Sequence, residues 1–331
     1  MAKSPVAPRF MGLRGMTVPP QWIYANRKYL KVVLEPPKFE PGSWRGAGNC
    51  VADATGQFWL VTRPRTKESR GYAFEIHSSE NGEDLSLRFS MTKEILSDEL
   101  GRRVLSIEGQ QLLRDPLTGR YHLYLSVDID RVWQTALLSS EDPCGPWKSE
   151  GIVIGCDQAY DSREARDAVI DVIEGKYFAL YKASDGQRIN EALAASSDGK
   201  GWKKMGLLEL DGSPQPPFHF LYGRTVASSL GPMFVGFESA EVVRGAAVSR
   251  RFVSYILDYR STNLETLFIT NWEPLSPFER RDYPVHSYSD LVYDQERDRI
   301  LLFIEAIDLE HSQDVGLNNE VDRVLLYEVP L

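Results

Sequence analysis

The stretch GKYFALY, residues 175–181, joins a glycine turn to a strand rich in aromatic and apolar side chains. Four other stretches have the same form, and they read GQFWLV from Gly56, GRYHLYL from Gly119, GPMFVGF from Gly231 and DRILLFI from Asp298. The intervals between successive stretches are 63, 56, 56 and 67 residues, so one supersecondary unit repeats along the chain. Turns followed by period-2 strands at this repeat length predict small antiparallel sheets arranged around an axis. We therefore predict an all-β fold, a five-bladed β-propeller.

A second element follows the first three stretches at a similar offset. It is a strand that ends in a serine-rich turn, and it reads EIHSSENG from Glu75, ALLSSEDPCGPW from Ala136 and ALAASSDGKGW from Ala192. Long runs with the 3.6-residue apolar period of a helix are absent from the sequence. Helix is therefore expected to be a minor component.

The repeated units indicate how the chain is divided. They fill residues 46–331 without a linker, which predicts a single five-bladed propeller as the catalytic domain. Residues 1–45 carry Pro-rich stretches around the strand-like run IYANRKYLKVVLE. This segment is expected to be an N-terminal extension that packs on the propeller.

Composition restricts the partners and the compartment. A net charge of −9 and a pI near 5.2 disfavour nucleic acid, because binding to a phosphate backbone requires clustered Lys and Arg. The sequence has neither the apolar core of a signal peptide nor an apolar run of about 18 residues, so we expect no membrane partner. Three cysteines without a CxxC pair are typical of reduced thiols, and we predict a cytoplasmic protein.

Two acidic residues stand out at the ends of strands that would line the central channel. The first strand of a propeller blade lines the channel, so residues well before each hairpin face the ligand funnel. Asp167 lies eight residues before Gly175, and Glu108 lies seven residues before Asp115. Glycoside cleavage needs two carboxyl groups beside the scissile bond, so we predict Asp167 and Glu108 as the catalytic pair. Glu108 is the expected proton donor, with a pKa raised by partial burial. In the alternative interpretation both are structural: Asp167 caps a turn or pairs with Arg163 or Arg166, and Glu108 is a loop carboxylate that pairs with Arg102 or Arg103.

Other polar residues occupy related positions in the remaining units. Asn49 holds the matching place in the first unit, and His286 holds it in the last, where it is expected to bind a sugar hydroxyl or a carboxylate. Further candidates lie beside the first and second strands of the units, and they are Arg63, Arg166, Arg224, Glu238 and Asp308. The sequence contains no P-loop, HExxH or GxSxG motif, so it offers no support for nucleotide, zinc-protease or α/β-hydrolase sites.

With these residues in view, the chain resembles the five-bladed propeller glycosidases, the group that contains glycoside hydrolase families 43, 32 and 130. RGYAFEIHSSENGEDL resembles the strand–turn phrase of that group, and SSEDPCGPW resembles its Gly-Pro-Trp blade edge. ARDAVIDV is similar to the Arg-Asp motif of family 32 and to the Asp-Ala segment of families 43 and 130, which implies that Asp167 is the central-blade carboxylate. SIEGQQLL resembles the Glu-Asp-Pro-Arg segment of family 130, with Glu108-Gly109 in place of the acidic pair.

The first and last units add to the resemblance. NCVADATGQFWLVTRPR is similar to the Asn-led first blade of family 130, which implies substrate contacts for Asn49 and Arg63. FIEAID resembles the closing strand with Asp308. The fourth unit, GRTVASSLGPMFVGF, offers Arg224 before its turn and Glu238 after it, where families 43 and 32 have a glutamate. The resemblance implies a glycoside hydrolase that cleaves a small oligosaccharide or glycoside in the central funnel with paired carboxylates.

Three other functions stay open at this point. A glycoside phosphorylase would need cationic groups that converge on phosphate, and Arg63, Arg166 and Arg224 are the candidates. A propeller that binds carbohydrate or protein without turnover fits the missing first- and fourth-unit acids. A metal-centred propeller hydrolase would use a ligand set drawn from Asn49, Glu108, Asp167 and His286. No cofactor is predicted, although a structural Ca²⁺ at the channel axis is left open, and the sequence makes no prediction of oligomeric state.

Overall fold

The structure is a computed structural model, and it describes residues 18–216, 219–243, 246–279, 288–308, 310–313 and 319–331. Two short α-helices, α1 (Pro20–Asn26) and α2 (Lys93–Leu100), and one 3₁₀ turn (Ala159–Asp161) are the helical elements of this part of the chain. Neither α-helix has the length and apolar character needed to span a membrane. The rest of the regular structure is β, which confirms the predicted all-β class.

In chain order the strands are β1 (Lys28–Leu34), β2 (Trp44–Ala52), β3 (Phe58–Arg65), β4 (Ala73–Ser79), β5 (Ser86–Thr92), β6 (Val104–Arg114), β7 (Tyr121–Ile129), β8 (Val132–Ser140), β9 (Lys148–Ile154), β10 (Glu164–Ile173), β11 (Lys176–Ser184), β12 (Ile189–Ser196), β13 (Trp202–Leu207), β14 (Glu209–Leu210), β15 (Ser213–Pro214), β16 (Phe220–Ser228), β17 (Gly231–Val243), β18 (Ala246–Asp258), β19 (Asn263–Asn271), β20 (Ser289–Asp294), β21 (Arg299–Ile307) and β22 (Asp322–Pro330).

Antiparallel pairing divides the strands into five groups. Group 1 is β2–β3–β4–β5, group 2 is β6–β7–β8–β9, and group 3 is β10–β11–β12–β13. Group 4 is β16–β17–β18–β19, with β14 and β15 at its edge, and group 5 is β20–β21–β22–β1. Each of the five turn–strand stretches found in the sequence forms the turn and second strand of the first hairpin of its group.

The groups are linked by single parallel pairs and by the packing of their first strands. Trp44 pairs with Asp322 and joins groups 5 and 1, and Glu164 pairs with Trp133 and joins groups 2 and 3. No sheet closes on itself within the described residues. The first strands nevertheless contact one another in the order β2, β6, β10, β16, β20 and back to β2.

The aromatic and apolar strands are buried on both faces. In β11, Tyr177 and Tyr181 lie in a core cluster with residues of group 2, whereas Phe178 and Leu180 lie in a cluster with residues of group 4. Alternate side chains of a strand point to opposite faces, so a run without polar alternation is what burial between two neighbouring groups requires. The other clusters follow the same rule and join groups 5 and 1 (Phe58 with Phe303), 1 and 2 (Val61 with Leu123), and 4 and 5 (Phe237 with Tyr327).

The first strands also line two cavities. Residues toward their amino ends line a small cavity of about 30 Å³, the amino-end cavity, and residues toward their carboxyl ends line a larger one of about 360 Å³, the carboxyl-end cavity. Positions two residues apart divide between the two cavities, and the pairs are Asn49 and Val51, Gln111 and Leu113, Val169 and Asp171, Gly223 and Thr225, and Ser289 and Leu291.

Three of the five first strands are irregular at the amino-end cavity. The register shifts between Ala47 and Cys50 in β2, between Glu108 and Gln110 in β6, and between Arg166 and Val169 in β10. Such a β-bulge bends the strand and changes where its side chains point. Three of the repeated units therefore share a distortion of the first strand at the amino-end cavity, where the predicted carboxylates lie.

Candidate functional site

Glu108 and Asp167 lie together on the bulges of the adjacent strands β6 and β10. Asp167 has a left-handed backbone conformation, with φ of +52°, and Gly109 has φ of +27°. A Cβ atom on Gly109 would lie 2.3 Å from Oδ1 of Asp167. Only a glycine therefore fits beside Asp167. Because Gly109 has no side chain, β6 and β10 can approach closely enough for Glu108 and Asp167 to lie near each other.

Arg166 lies between the two carboxylates. Its Nη1 contacts Oε2 of Glu108 and lies 3.1 Å from Oδ2 of Asp167, while its Nε donates to Oε2 of Glu164 at 2.8 Å. One guanidinium nitrogen thus serves both acids. A glycosidic bond flanked by Glu108 and Asp167 would have to occupy the space that this guanidinium fills.

A second arginine holds the other oxygen of Glu108. Arg70, in the loop after β3, contacts Oε1 of Glu108. The guanidinium groups of Arg166 and Arg70 both face the ring of Trp133, at 4.7 and 5.5 Å from its centroid. Glu108 is therefore fixed through both oxygens, and its two cations rest on one aromatic ring.

Besides Arg166, Asp167 has three polar partners, which come from group 3, from group 2 and from the residue before β20. Its Oδ2 accepts from Nζ of Lys182 at 2.9 Å, and its Oδ1 accepts from Oη of Tyr288 at 3.1 Å. Oγ of Ser126 donates to Oδ1 at 3.2 Å and accepts from the backbone N–H of Asp167 at 2.7 Å. These contacts hold the carboxylate in one orientation.

The cations decide the charge of both acids. Burial on its own raises a carboxyl pKa, but Arg166, Arg70 and Arg63 outweigh burial at Glu108 and hold its pKa below the usual range. Burial is likewise outweighed at Asp167, whose pKa is lowered chiefly by Lys182 and Arg166. The raised pKa expected for a proton donor at Glu108 is thus wrong, because the sequence did not show that two arginines would meet it.

Several buried polar groups near this cavity have no hydrogen-bond partner within the described residues. They are both amide atoms of Gln110, which lines the cavity, Nε and Nη1 of Arg63, and both carboxyl oxygens of Glu305. A Cβ atom on Gly46 would lie 3.2 Å from Nη2 of Arg63 and 3.4 Å from Oε2 of Glu305, so both side chains lie beside this glycine. Buried polar groups are normally satisfied, so these groups suit a polar ligand.

Two predicted substrate contacts have other roles in the structure. The amide of Asn49 donates to the backbone oxygen of Leu112 at 2.6 Å and accepts from its N–H, so it ties β2 to β6. Arg224 lies farther along the channel, where it forms a bidentate pair with Asp290 at 2.7 and 3.0 Å and donates to the Cys50 carbonyl at 3.0 Å. Arg224 lines the carboxyl-end cavity and is not among the residues that line the amino-end one.

Glu238 and Asp308 are also held in networks of their own. Glu238 accepts from Nε2 of His219 at 2.5 Å and from the Tyr255 hydroxyl, and it pairs with Arg251 at 2.6 Å. Asp308 caps the turn after β21 and pairs with Arg323. The predicted residue His286 lies outside the described residues.

Sequence reasoning missed the partners that set the chemistry of the two acids. Arg70 lies 38 residues from Glu108 and Tyr288 lies 121 residues from Asp167, whereas Lys182 lies 15 residues from Asp167, on the next strand. The role of Lys182 could have been predicted from the sequence, since it is a lysine within the apolar strand of GKYFALYKAS. A lone charge in a buried strand requires a counter-charge, and that reasoning would have linked it to Asp167.

Metal ligation has little support at this site. Among the residues that the structure describes, no group of three or more His, Cys, Asp or Glu side chains is arranged to hold a metal ion. Of the set proposed from the sequence, Asn49 is engaged with Leu112, and Glu108 and Asp167 face cations.

Comparison with known proteins places the fold. No protein-family model matches the chain, and no curated protein is similar to it. Among solved structures, a putative glycosidase from Bacteroides thetaiotaomicron is 15% identical, with a TM-score of 0.61 over 93% of this chain and 98% of that chain. A family 117 glycoside hydrolase from Zobellia galactanivorans is 14% identical, with a TM-score of 0.60 over 92% of this chain and 90% of that one.

A phosphorylase has the same fold. The β-1,2-mannobiose phosphorylase from Listeria innocua is 13% identical, with a TM-score of 0.59 over 92% of this chain and 97% of that chain. At such identities the likeness is one of fold, and fold does not determine function. The resemblance seen in the sequence is confirmed at the level of the fold, which the chain shares with the solved glycosidase, glycoside hydrolase and phosphorylase named above.

Proposed function

We propose that residues 46–331 form a five-bladed propeller in which each strand group is one blade. The support is the cyclic contact of the five first strands together with five core clusters, one between each pair of neighbouring groups. Residues 1–45 are then an extension whose strand β1 adds to the outer edge of the last blade.

We propose further that the amino-end cavity, at about 30 Å³ too small for a whole sugar ring, is the floor of the active site of a glycosidase-type enzyme that acts on a small oligosaccharide or glycoside. The observation that carries this proposal is Asp167, a buried carboxylate that Lys182 and Arg166 keep ionised and that four groups orient toward a polar cavity. An ionised, oriented carboxylate suits a general base or a nucleophile at an anomeric centre.

Glu108 is better suited to positioning than to proton donation. Its ion pairs with Arg166 and Arg70 keep it ionised and place the Arg166 guanidinium beside Asp167. The proton donor is then another acid, and Asp128 on β7 is our candidate. Burial raises the pKa of Asp128, its Oδ1 has no hydrogen-bond partner within the described residues, and its charge is coupled to Arg70 and Glu108.

A screen for turnover tests the proposal. Purified protein is incubated with a panel of aryl glycosides and β- and α-linked disaccharides, and released sugar is measured with wild type, Asp167→Asn and Asp185→Asn. Asp185 lies in an exposed turn after β11, so its variant is the matched control. Activity lost only in Asp167→Asn supports the assignment. Equal turnover in both variants, or binding of sugars without turnover by the wild type, contradicts it, and the second outcome favours the carbohydrate-binding alternative.

The proton donor is tested by the leaving group. Asp128→Asn is expected to lose cleavage of disaccharides while it retains cleavage of nitrophenyl glycosides, because a good leaving group needs little protonation. Glu108→Gln is expected to lose both. The reverse pattern would restore Glu108 as the proton donor.

Phosphorolysis is the second candidate, and a group of arginines favours it. Burial and the charges of Arg63 and Arg70 lower the pKa of Arg65 to about 10, so three guanidinium groups crowd one side of the site. Such a concentration of positive charge suits a phosphate. Formation of a sugar 1-phosphate that requires added inorganic phosphate would establish this reaction, and turnover in phosphate-free buffer would favour hydrolysis.

A further inference from the structure

The carboxyl-end cavity is a second, partly open cavity, and its lining differs from that of the amino-end cavity. Its volume is about 360 Å³, within the range of about 300–1,000 Å³ that small-molecule sites occupy. Its walls come from all five first strands and are largely apolar, with Val51, Leu113, Val226, Leu291 and Val292 among them. The cavity has no part in the function proposed above.

A polar layer separates this cavity from the Asp167 site. Arg224 extends from β16 to Asp290 on β20, with contacts of 2.7 and 3.0 Å, and to the Cys50 carbonyl on β2. The backbone N–H of Cys50 donates to Asp290 at 2.7 Å. Since the charges of Arg224 and Asp290 cancel each other, the layer is neutral.

Among the described residues, Asp171 is the one acid in the cavity wall. Its side chain is 11% exposed, its Oδ2 accepts from the backbone N–H of Thr225 at 2.7 Å, and its Oδ1 makes no hydrogen bond within the described part of the chain. The nearest cation, Nη1 of Arg224, lies 3.8 Å from Oδ1 and belongs to a guanidinium already paired with Asp290. Asp171 therefore lacks a counter-charge of its own.

The other charged or titratable groups around Asp171 do not supply that counter-charge. Arg114 lines the exposed rim, where its Nε donates to the Gly119 carbonyl at 3.1 Å. The hydroxyl of Tyr293 donates to Asp298 at 2.9 Å, and burial raises the pKa of the Cys50 thiol, which keeps it neutral. A carboxyl group without a dedicated cation, in an apolar wall, is an incomplete ion pair.

We propose that the carboxyl-end cavity binds a small amphipathic cation, with an apolar body against the aliphatic wall and one protonated amine on Oδ1 of Asp171. The ammonium group completes the ion pair, and the apolar body removes aliphatic surface from water. Burial raises the pKa of free Asp171 to about 7, against the opposing effect of Arg224, so ligand binding and ionisation of Asp171 are linked. Affinity for an amine therefore rises as the pH increases from 6 to 8, since the amine stays protonated while Asp171 loses its proton.

Three probes of similar size test the proposal. Isothermal titration calorimetry measures binding of 4-phenylbutylamine, 4-phenylbutanol and 4-phenylbutyrate to the full chain at pH 6 and pH 8. At pH 8 the amine is expected to bind about tenfold more tightly than the alcohol, which corresponds to about 1.4 kcal/mol. Asp171→Asn is expected to remove that preference and leave alcohol binding unchanged, and Asp185→Asn, in the exposed turn after β11, is expected to leave both unchanged.

A second variant keeps the test sound if Asp171→Asn does not fold. Val172→Phe adds a ring to the cavity wall with Asp171 intact, and it is expected to weaken amine binding at least about tenfold. The proposal is overturned if the alcohol or the acid binds as tightly as the amine, if the amine preference persists in Asp171→Asn, or if none of the probes binds. Preference for the acid would identify Arg114 as the determinant instead.

Discussion

The amino-end and carboxyl-end cavities differ in composition although the same five first strands contribute to both. Asp167 and Asp171 lie on β10 four residues apart, and both are largely enclosed by protein. The pKa of Asp167 is lowered, whereas that of Asp171 is raised to about 7. Burial acts in the same direction on both, so the difference comes from counter-charges: Asp167 has Lys182 and Arg166, and Asp171 shares Arg224 with Asp290. Enclosure alone does not tell whether a channel carboxylate is ionised.

The largest effect is expected when the negative charge of Asp167, at the amino-end cavity, is removed. Asp167→Asn is expected to lower turnover of the substrate found in the screen by roughly 10²–10⁴-fold. It also leaves Lys182 and Arg166 without their shared anion, so the free energy of unfolding is expected to fall by about 3–5 kcal/mol. Steady-state kinetics and urea unfolding measure the two effects.

A double variant separates the loss of turnover from the loss of stability. Lys182→Met removes the cation that the amide no longer neutralises, so Lys182→Met/Asp167→Asn is expected to recover part of the stability and none of the activity. Recovery of activity in the double variant would show that Asp167 acts through Lys182 and not on the substrate.

The neutral layer between the two ends is the next target. Arg224→Leu leaves Asp290 buried without its cation, and we expect unfolding in urea to show a loss of about 3–5 kcal/mol. Arg224→Leu/Asp290→Leu removes both charges and is expected to lose less than the sum of the two single changes. Additive losses would mean that the pair does not hold the layer together.

Glycines at the two cavities differ in the space that an added side chain would find. Gly109→Ala places a Cβ 2.3 Å from Oδ1 of Asp167, so it is expected to displace the carboxylate and lower turnover at least tenfold. Gly175, with φ of +78°, lines the carboxyl-end cavity, and a Cβ added there would meet no atom within 4 Å, so Gly175→Ala is the control. It carries the left-handed strain of about 1 kcal/mol without the clash. Equal loss of turnover in both variants would attribute the effect to strain.

The smallest expected effect is an opposite response to pH. Lowered pKa values at Glu108 and Asp167 contribute stability above about pH 4, the unfolded range, and that stability is lost as the pH falls toward their folded values. The raised pKa of Asp171 contributes stability below about pH 4, and this is lost as the pH rises through about 7.

Asp171→Asn therefore matches the wild type more closely at pH 5 than at pH 8. At pH 8 it is expected to be more stable than the wild type, by up to about 2–3 kcal/mol, when urea unfolding is compared at the two pH values. A constant difference between the two proteins would show that Asp171 titrates normally.

The sequence was sufficient for the features that depend on local pattern. The repeated turn and strand predicted every first hairpin, because strand alternation and turn residues act within a few positions. Glu108 and Asp167 were found for the same reason, since both precede a recognisable hairpin by a fixed distance.

Features that depend on contacts between strand groups could not be predicted. The counter-charges of Glu108 come from Arg70 and Arg166, which lie 38 and 58 residues away in sequence, and they reverse the expected direction of its pKa. Asn49 was predicted to contact substrate, but its partner is a backbone group of the next first strand, which no side-chain pattern reveals. The position of the acids in the sequence could be predicted, but their charge depends on contacts between strand groups that only the structure shows.

The pairing of β1 with β22 has a consequence for synthesis of the protein. Lys28 lies opposite Glu328, so the partner of β1 emerges from the ribosome roughly 300 residues later, or about 15–60 s at 5–20 residues per second. An unpaired strand edge can recruit another chain during that delay. β1 reads KYLKVVL, and its two lysines disfavour such pairing, because charge on an edge strand opposes edge-to-edge association. The lysines of β1 thus protect the strand during the delay before β22 is synthesised, and they are compatible with its position at the edge of the sheet in the folded protein.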